Sequence, residues 1–171
     1  MSTENTTEKT RLTRIVPPYF QDLVTLRILK STYTKSGAGN PMITWFLEIL
    51  KPLEFELDGT IYSLDGMGTI PVYLVKSAKR DDFSLLRSKI HPKLGLPEEI
   101  DEDNPNTDQY NGIVFQSMLY SIEDFAQRRL PNGQLEVIKD ANGKSISKGW
   151  KFLFKPEEIV GLASADENTP Y

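Results

Sequence analysis

The sequence of 171 residues contains no cysteine and a single histidine. The absence of thiols excludes disulfides, thiolate nucleophiles and thiolate metal sites, and it fits a reducing compartment. His91 has no second imidazole with which to build a zinc site. Because Pro92 follows it, we expect His91 at the surface, at the end of a helix. We therefore predict a protein that holds no metal and no other cofactor.

Long apolar runs are also missing. There is no stretch of about 18 apolar residues, and Met1–Thr10 is polar, with no apolar run behind a basic start. These features predict a soluble cytoplasmic protein without membrane contact. With 39% hydrophobic residues the chain can bury one core. We expect one folded domain at 15–162, between a disordered segment at 1–14 and an acidic flexible tail at 163–171.

Sequence motifs of catalysis are absent as well. The acidic run at 101–104 lacks the spacing and the glycine of an EF-hand calcium loop. The glycines at 37 and 39 are followed by a strand pattern, not by the Lys-Ser or Lys-Thr pair and helix of a phosphate-binding loop. Nothing in the sequence resembles a nucleophile with its base. We expect a protein that is not an enzyme.

The formal net charge is −4, from 24 acidic and 20 basic side chains. The acids are concentrated, because six fall between Glu98 and Asp108 and two, Asp166 and Glu167, lie near the C-terminus. Without these eight, 16 acids face 20 bases, so the rest of the chain carries about +4. This excess predicts a modest basic groove, while a mildly acidic surface with scattered charges is the alternative. The acidic stretch Pro97–Asp108 is predicted to be a solvated loop.

The sequence is rich in segments whose apolar residues alternate, the period of strands with one face on a core. In the clearest of them, Met42–Leu50, we expect Ile43, Trp45, Leu47 and Ile49 to share the buried face. Three further strands follow from the same pattern: Leu23–Tyr33, Thr69–Lys76 and Gly112–Ile122.

Helix and turn signals complete the pattern. A helix is predicted over Phe83–Ile90, with an aspartate cap before it, and Pro92 should end it. Pro71 has no backbone N–H to donate to a neighbouring strand, which predicts an edge strand or a bulge at this position. Asp58-Gly59 and Asn142-Gly143 are typical hairpin turns. The second turn predicts a β-hairpin with the arms Gln134–Lys139 and Ser145–Phe154.

The order of these elements predicts the fold. Two strands flank the glycine-containing loop Lys35–Pro41, a third follows, then one helix, then further strands. This is the plan of the OB-fold, which commonly holds single-stranded nucleic acid or oligosaccharide across one face. We therefore predict an all-β protein, a five-stranded OB-fold barrel with one helix between strands 3 and 4 and an additional hairpin.

The outward face of the first three predicted strands combines aromatic and basic side chains. Aromatic rings stack on any base, and cations neutralise phosphates, so this combination holds single strands without reading their sequence. We predict stacking by Tyr33, Phe46 and Tyr73, although Phe46 and Tyr73 would alternatively pack under the connection at 51–68. The cations predicted to contact phosphates are Arg27, Lys30, Lys35, Lys76, Lys79, Arg80, Arg128, Arg129, Lys139, Lys144 and Lys148.

Two short runs carry a resemblance to a known family. Lys35–Trp45 (KSGAGNPMITW) and Tyr110–Phe115 (YNGIVF), the latter after the helix and acidic loop, resemble the OB-fold single-stranded DNA-binding proteins of bacteriophages. The similarity covers roughly Leu23–Leu162. It implies a non-catalytic protein that coats single strands during DNA replication and recombination, in the host cytoplasm if a phage encodes it. By strand position, it assigns DNA contact to the aromatic and basic residues above.

The C-terminus carries a second similarity. Its last six residues are similar to the acidic tips of bacterial and phage single-strand binders, which recruit replication partners. The similarity implies partner binding through Asp166, Glu167, Pro170 and Tyr171. A terminal carboxylate beside an aromatic ring suits a basic-rimmed apolar pocket. An ordinary frayed end is the alternative.

Two other function classes fit the same sequence. A phage structural or assembly protein would dock other proteins through the same exposed aromatic side chains, and oligomerisation without DNA affinity would favour it. A carbohydrate-binding barrel would stack its aromatic platform on sugars, although the basic remainder argues against this. The sequence leaves open whether the chain forms a homo-oligomer.

Overall fold

A computed structural model describes residues 15–164 together with the backbone of Leu12–Thr13. The described chain is mostly β, as predicted, and none of its helices is long and apolar enough to cross a membrane. The strands are β1 (Leu12–Thr13), β2 (Gln21–Lys35), β3 (Pro41–Lys51), β4 (Glu54–Leu57), β5 (Thr60–Ser63), β6 (Ile70–Val75), β7 (Val114–Phe125), β8 (Gln127–Arg129), β9 (Leu135–Val137) and β10 (Ser147–Leu162). The helical elements are α1 (Asp82–Leu85), a π turn (Leu86–Ile90), α2 (His91–Leu94) and a 3₁₀ turn (Thr107–Tyr110).

Five long strands form one antiparallel sheet in the order β10-β7-β2-β3-β6. β2 lies at its centre. In the part of the chain that the structure describes, the edge strands β6 and β10 are not hydrogen-bonded to each other. The sheet is therefore not a closed barrel. Pro71 lies in β6, and the prediction of an edge strand there is confirmed, because the outer edge of β6 needs no ladder donor.

A smaller sheet precedes β6 along the chain, in the order β1-β5-β4. β4 and β5 form a hairpin whose turn, Asp58-Gly59, has positive φ at both residues (49° and 83°), as the predicted hairpin turn requires. β1 pairs in parallel with β5. The folded part therefore begins before Ile15, the boundary expected from the sequence.

The core lies between the large sheet and the helical elements. The alternating residues of β3 are buried as predicted, and Trp45 is fully buried. Its ring packs against Tyr110 and Phe115, with centroids 5.3 and 6.4 Å away. Its indole N–H finds no hydrogen-bond acceptor among the described residues. Phe83, from α1, is fully buried in the same core.

β2 changes faces at a bulge, because its pairing with β3 shifts by one residue between Ile28 and Lys30 and leaves Leu29 as the extra residue. A one-residue slip turns every later side chain to the opposite face. The prediction that Tyr33 faces outward is therefore wrong. Its ring packs against the core, and its hydroxyl donates a hydrogen bond to the carbonyl oxygen of Glu102 (3.0 Å).

The helix continues past the proline that was expected to end it. The His91 N–H donates to the carbonyl of Leu86, five residues earlier, so the chain is wound as a π turn at this point. Pro92 then falls in the first turn of α2, where its missing N–H costs little. The helix ends at Gly95, whose φ of 72° suits a left-handed C-cap.

His91 is buried, so the prediction of a surface histidine is wrong. The continued helix turns its ring inward. The Nδ1 atom donates to the carbonyl of Pro97 (2.5 Å), and since a carbonyl only accepts, Nε2 accepts from the Tyr110 hydroxyl (2.7 Å). Burial lowers the pKa of His91 and raises the pKa of the Tyr110 hydroxyl. The pair ties the helix to the acidic loop.

The hairpin predicted from 134–139 and 145–154 forms only next to its turn. β9 pairs with β8 instead, through a turn at 130–134. Beside the turn at Asn142-Gly143, Lys139 pairs with Ser145, and the Ile146 N–H donates to the Ile138 carbonyl (3.0 Å). β10 pairs with β7 along most of its 16 residues. This pairing satisfies the backbone edge of β7 and brings Phe154 and Ile159 into the core, which a local hairpin would not do.

Candidate nucleic-acid interface

Aromatic side chains lie on the outer face of the large sheet where β2, β3 and β6 run side by side. One ladder row places Lys30 beside Phe46, and Phe46 beside Pro71. In the next row, Thr44 lies beside Tyr73. Phe46 and Tyr73 are thus diagonal neighbours, about 7–8 Å apart in such a ladder. We call Lys30, Phe46, Pro71 and Tyr73 the outer patch.

The two predicted stacking residues of the outer patch differ in exposure. Tyr73 is 50% exposed and Phe46 is half-buried. Because half of its surface is exposed, Tyr73 does not pack under the connection at 51–68 as the alternative required. The outer patch therefore presents one open ring and one partly open ring to solvent.

The predicted cations fall into two groups. Within residues 15–164, those without an ion pair are Lys30, Lys35, Lys79, Lys139 and Lys144, and Arg129 donates to the Gly133 carbonyl (2.8 Å). The paired cations are Arg27 with Glu48 (2.8 Å), Lys76 with Glu102 (2.5 Å), Arg80 with Asp82 (2.6 Å), Arg128 with Glu136 (2.6 Å) and Lys148 with Asp124 (3.9 Å). These cations are all more than one-third exposed, so their pairs stabilise the fold little and can exchange for phosphate.

Two loops flank the outer patch at opposite ends of the sheet. The loop at 36–40 joins β2 to β3 and carries Lys35 at its start. The segment at 126–146, which we call the arm, joins β7 to β10 and contains two tight turns. Because β7 runs antiparallel to β2 and extends past the first residue of β2, the arm lies at the far end. Cations on the arm are therefore separated from Lys35 by the length of the sheet.

Glu102 binds two cations near the end of β6. Its carboxylate accepts from the Lys76 ammonium (2.5 Å) and the Arg87 guanidinium (2.7 Å), and these hydrogen bonds, that of Lys76 foremost, lower the pKa of Glu102. The acidic loop is thus anchored at this point, which corrects the prediction of a wholly solvated loop. Lys76 follows Tyr73 by three residues, about 10 Å along a strand. Side chains three residues apart in a strand point to opposite faces, so Glu102 holds Lys76 on the core side of the sheet, where the Tyr33 hydroxyl also binds the Glu102 carbonyl.

A groove runs between the edge strands β6 and β10. It consists of two clefts of about 450 and 190 Å³, which share Ile70, Pro71 and Phe152 as walls. We call it the edge groove. Trp150 lines its larger cleft and contacts the exposed ring of Tyr19, with centroids 4.5 Å apart. The sequence placed Trp150 on a hairpin arm, so only the observed pairing of β10 with β7 reveals this position.

The described residues include no group of three or more His, Asp or Glu side chains that could hold a metal ion. The tail residues Asp166, Glu167, Pro170 and Tyr171 lie outside the described part. No protein-family model matches the chain, and no curated protein matches it either. The function is therefore argued from the outer patch, its cations and the edge groove.

Proposed function

We propose that this chain is an OB-fold protein that binds single-stranded DNA without sequence preference. Taken as strands one to five, β2, β3, β6, β7 and β10 lie in the order five-four-one-two-three, with the helix between strands three and four. This order supports the OB-fold, whose barrel is often only partly closed. The resemblance to phage single-strand binders supports a role in coating DNA during phage replication and recombination.

The observation that carries the proposal is the outer patch. OB-folds bind oligonucleotides on the face of strands two and three and on the loops between strands one and two and between four and five. Here that face carries Phe46 and Tyr73, and the two loops are the loop at 36–40 and the arm. Unpaired Lys30 lies beside Phe46 in the ladder. Rings and cations thus coincide where this fold binds single strands.

The expected mechanism follows from the chemistry of these side chains. Tyr73 and Phe46 offer flat faces to bases, which every base can use, at about 1–3 kcal/mol per stacked base. The lysines of the patch, the loop and the arm neutralise phosphates and read no base edge. Binding should therefore depend on the length of the strand and on salt far more than on sequence.

The test is the affinity for fluorescent oligo-dT at several salt concentrations. If about five phosphates are neutralised, the logarithm of the association constant should fall with the logarithm of salt with a slope of about −3.5. Duplex DNA should bind much more weakly, because its bases are not free to stack. Salt-independent binding, or equal affinity for duplex, would count against the proposal. Self-association without any DNA affinity would favour an assembly protein instead.

Glu102→Gln should strengthen binding to oligo-dT. The substitution removes the carboxylate that holds Lys76 and Arg87, so both become available to phosphates. We expect a salt dependence steeper by about 0.7 for each phosphate gained. Glu99→Gln is the matched control, because it removes the same charge from an exposed position of the same loop. Equal effects of the two variants would show that only net charge matters and that Glu102 does not compete for the site.

A further inference from the structure

The edge groove has the composition of a ligand site. Its larger cleft has an apolar floor that includes Ile49, Leu64 and Ile70, and Trp150 stands at its wall. A volume of about 450 Å³ falls within the range of about 300–1,000 Å³ typical of small-ligand pockets. Thr69 adds one hydroxyl to the lining. Such a cleft suits a flat, largely apolar group with a few polar edges.

The charged residues that line the edge groove are both basic. Lys151 lines the larger cleft and Arg80 the smaller one, and neither lining contains a carboxylate. Both cations have acidic partners outside the groove, Lys151 with Asp124 (3.5 Å) and Arg80 with Asp82 (2.6 Å). Both cations remain more than half exposed, so phosphates can reach them. Arg80 in addition donates to the Tyr73 carbonyl (2.7 Å), which holds its guanidinium beside the smaller cleft. The groove is complementary to an anion that carries flat rings.

The ring of Tyr19 gives independent support. Tyr19 has a φ of 55°, a left-handed conformation that is strained for a residue with a side chain, and it is 79% exposed. In that conformation its ring lies against Trp150, a wall residue of the larger cleft. Strained backbone often occurs at ligand-binding positions. The exposed ring of Tyr19 and the half-buried ring of Trp150 are therefore available for stacking.

The edge groove is continuous with the outer patch. Pro71 belongs to both, and Tyr73 lines the smaller cleft while its ring is exposed on the outer face. A strand that crosses Phe46 and Tyr73 would therefore meet the groove at its next positions. The groove lies where hydrogen bonds between β6 and β10 would otherwise close the sheet into a barrel.

We propose that the edge groove takes up one nucleobase of the bound single strand, stacked on Trp150, with Lys151 and Arg80 on the adjoining phosphates. This inference rests on the proposed function and extends the site to Trp150 and Lys151, which were not among the predicted contacts. In this proposal Trp150 contacts the bound DNA directly, whereas Trp45 is buried in the core.

The two tryptophans allow a direct test on the full chain. In Trp45→Phe, the remaining indole is Trp150, and oligo-dT should quench most of its fluorescence. In Trp150→Phe, the remaining indole is Trp45, and the signal should barely change. An abasic oligodeoxynucleotide of equal length offers phosphates without bases, so it should not quench Trp150. Trp150→Ala should weaken oligo-dT binding roughly 5- to 150-fold, the loss of one stacked base at about 1–3 kcal/mol.

The outcomes separate this proposal from the function on which it rests. If oligo-dT binds to Trp45→Phe without quenching, the groove does not hold a base, although the outer patch can still bind DNA. Equal quenching by the abasic strand would also overturn it, as would a signal that depends only on protein concentration and so reports a second copy in the groove. If the wild-type chain does not bind oligo-dT at all, the proposed function itself fails. Should Trp150→Ala not fold, the fluorescence test on the phenylalanine variants decides.

Discussion

Replacing both Phe46 and Tyr73 with alanine is expected to weaken oligo-dT binding by about 30-fold or more, because two stacked bases are lost at about 1 kcal/mol or more each. The rings are diagonal neighbours on β3 and β6, so their effects need not add exactly as those of distant sites do. Each single variant should show a smaller loss. Fluorescence anisotropy with labelled oligo-dT at fixed salt measures the effect.

The double variant needs a control for lost apolar surface. Leu23 and Val160 are exposed apolar residues on β2 and β10, outside the outer patch, and alanine at both should leave binding unchanged. Tyr73 is half exposed, so Tyr73→Ala alone should keep the fold and still lose affinity. Wild-type affinity in a folded Tyr73→Ala, Phe46→Ala double variant would refute the stacking mechanism and leave the assembly interpretation.

Trp45 is the position where we expect the largest effect on stability. Trp45→Ala removes a fully buried indole and should lower the free energy of unfolding by about 3–5 kcal/mol. That is a large share of the roughly 5–15 kcal/mol typical of a domain. Guanidinium unfolding followed by circular dichroism in the far ultraviolet measures it. Trp150→Ala is the matched substitution. Trp150 lies at the partly exposed wall of the edge groove, so its loss should lower the free energy of unfolding much less.

Trp45→Phe should lower the free energy of unfolding far less than Trp45→Ala does, for a reason specific to this site. The indole N–H is buried without an acceptor in the described part of the chain, and such a group costs about 1–3 kcal/mol. Phenylalanine removes that N–H and keeps most of the ring contacts with Tyr110 and Phe115. A loss as large as that of alanine would mean that the N–H is satisfied, for example by water. A small loss also provides the single-tryptophan reporter for the edge groove.

The alternation of apolar residues correctly predicted the features that depend only on residues a few positions apart in the chain. Ile43, Trp45, Leu47 and Ile49 share the buried face of β3, and the Asp58-Gly59 turn forms where its residue types require it. Burial of one face imposes a period of two, and a tight turn needs residues that accept positive φ. Both are local requirements, so both can be recognised in the sequence.

Several features of the site depend on contacts between segments that are distant in the sequence. The alternation of apolar residues carries no information about such contacts. The bulge at Leu29 moved Tyr33 to the core side, because the ladder with β3 shifts by one residue. His91 is buried because the helix continues through a π turn and packs on Tyr110. The two predicted rings that stay outward, Phe46 and Tyr73, lie in a pairing of β3 with β6 that has no register shift. The one extra residue at the bulge, Leu29, thus decides that Tyr33 does not face outward with the other two predicted rings.

The sequence by itself determined the strand-rich class of this protein, the buried face of its clearest strand and the tight turns, because each follows from residue types a few positions apart. Only the tertiary structure decided which strands pair, and therefore that β10 joins β7 and faces β6 across an open groove. Pairing partners are chosen by the burial of whole faces and the satisfaction of backbone edges, which are properties of the assembled sheet. For that reason Trp150 gained its position beside the outer patch, and Glu102 its two cationic partners, only on folding.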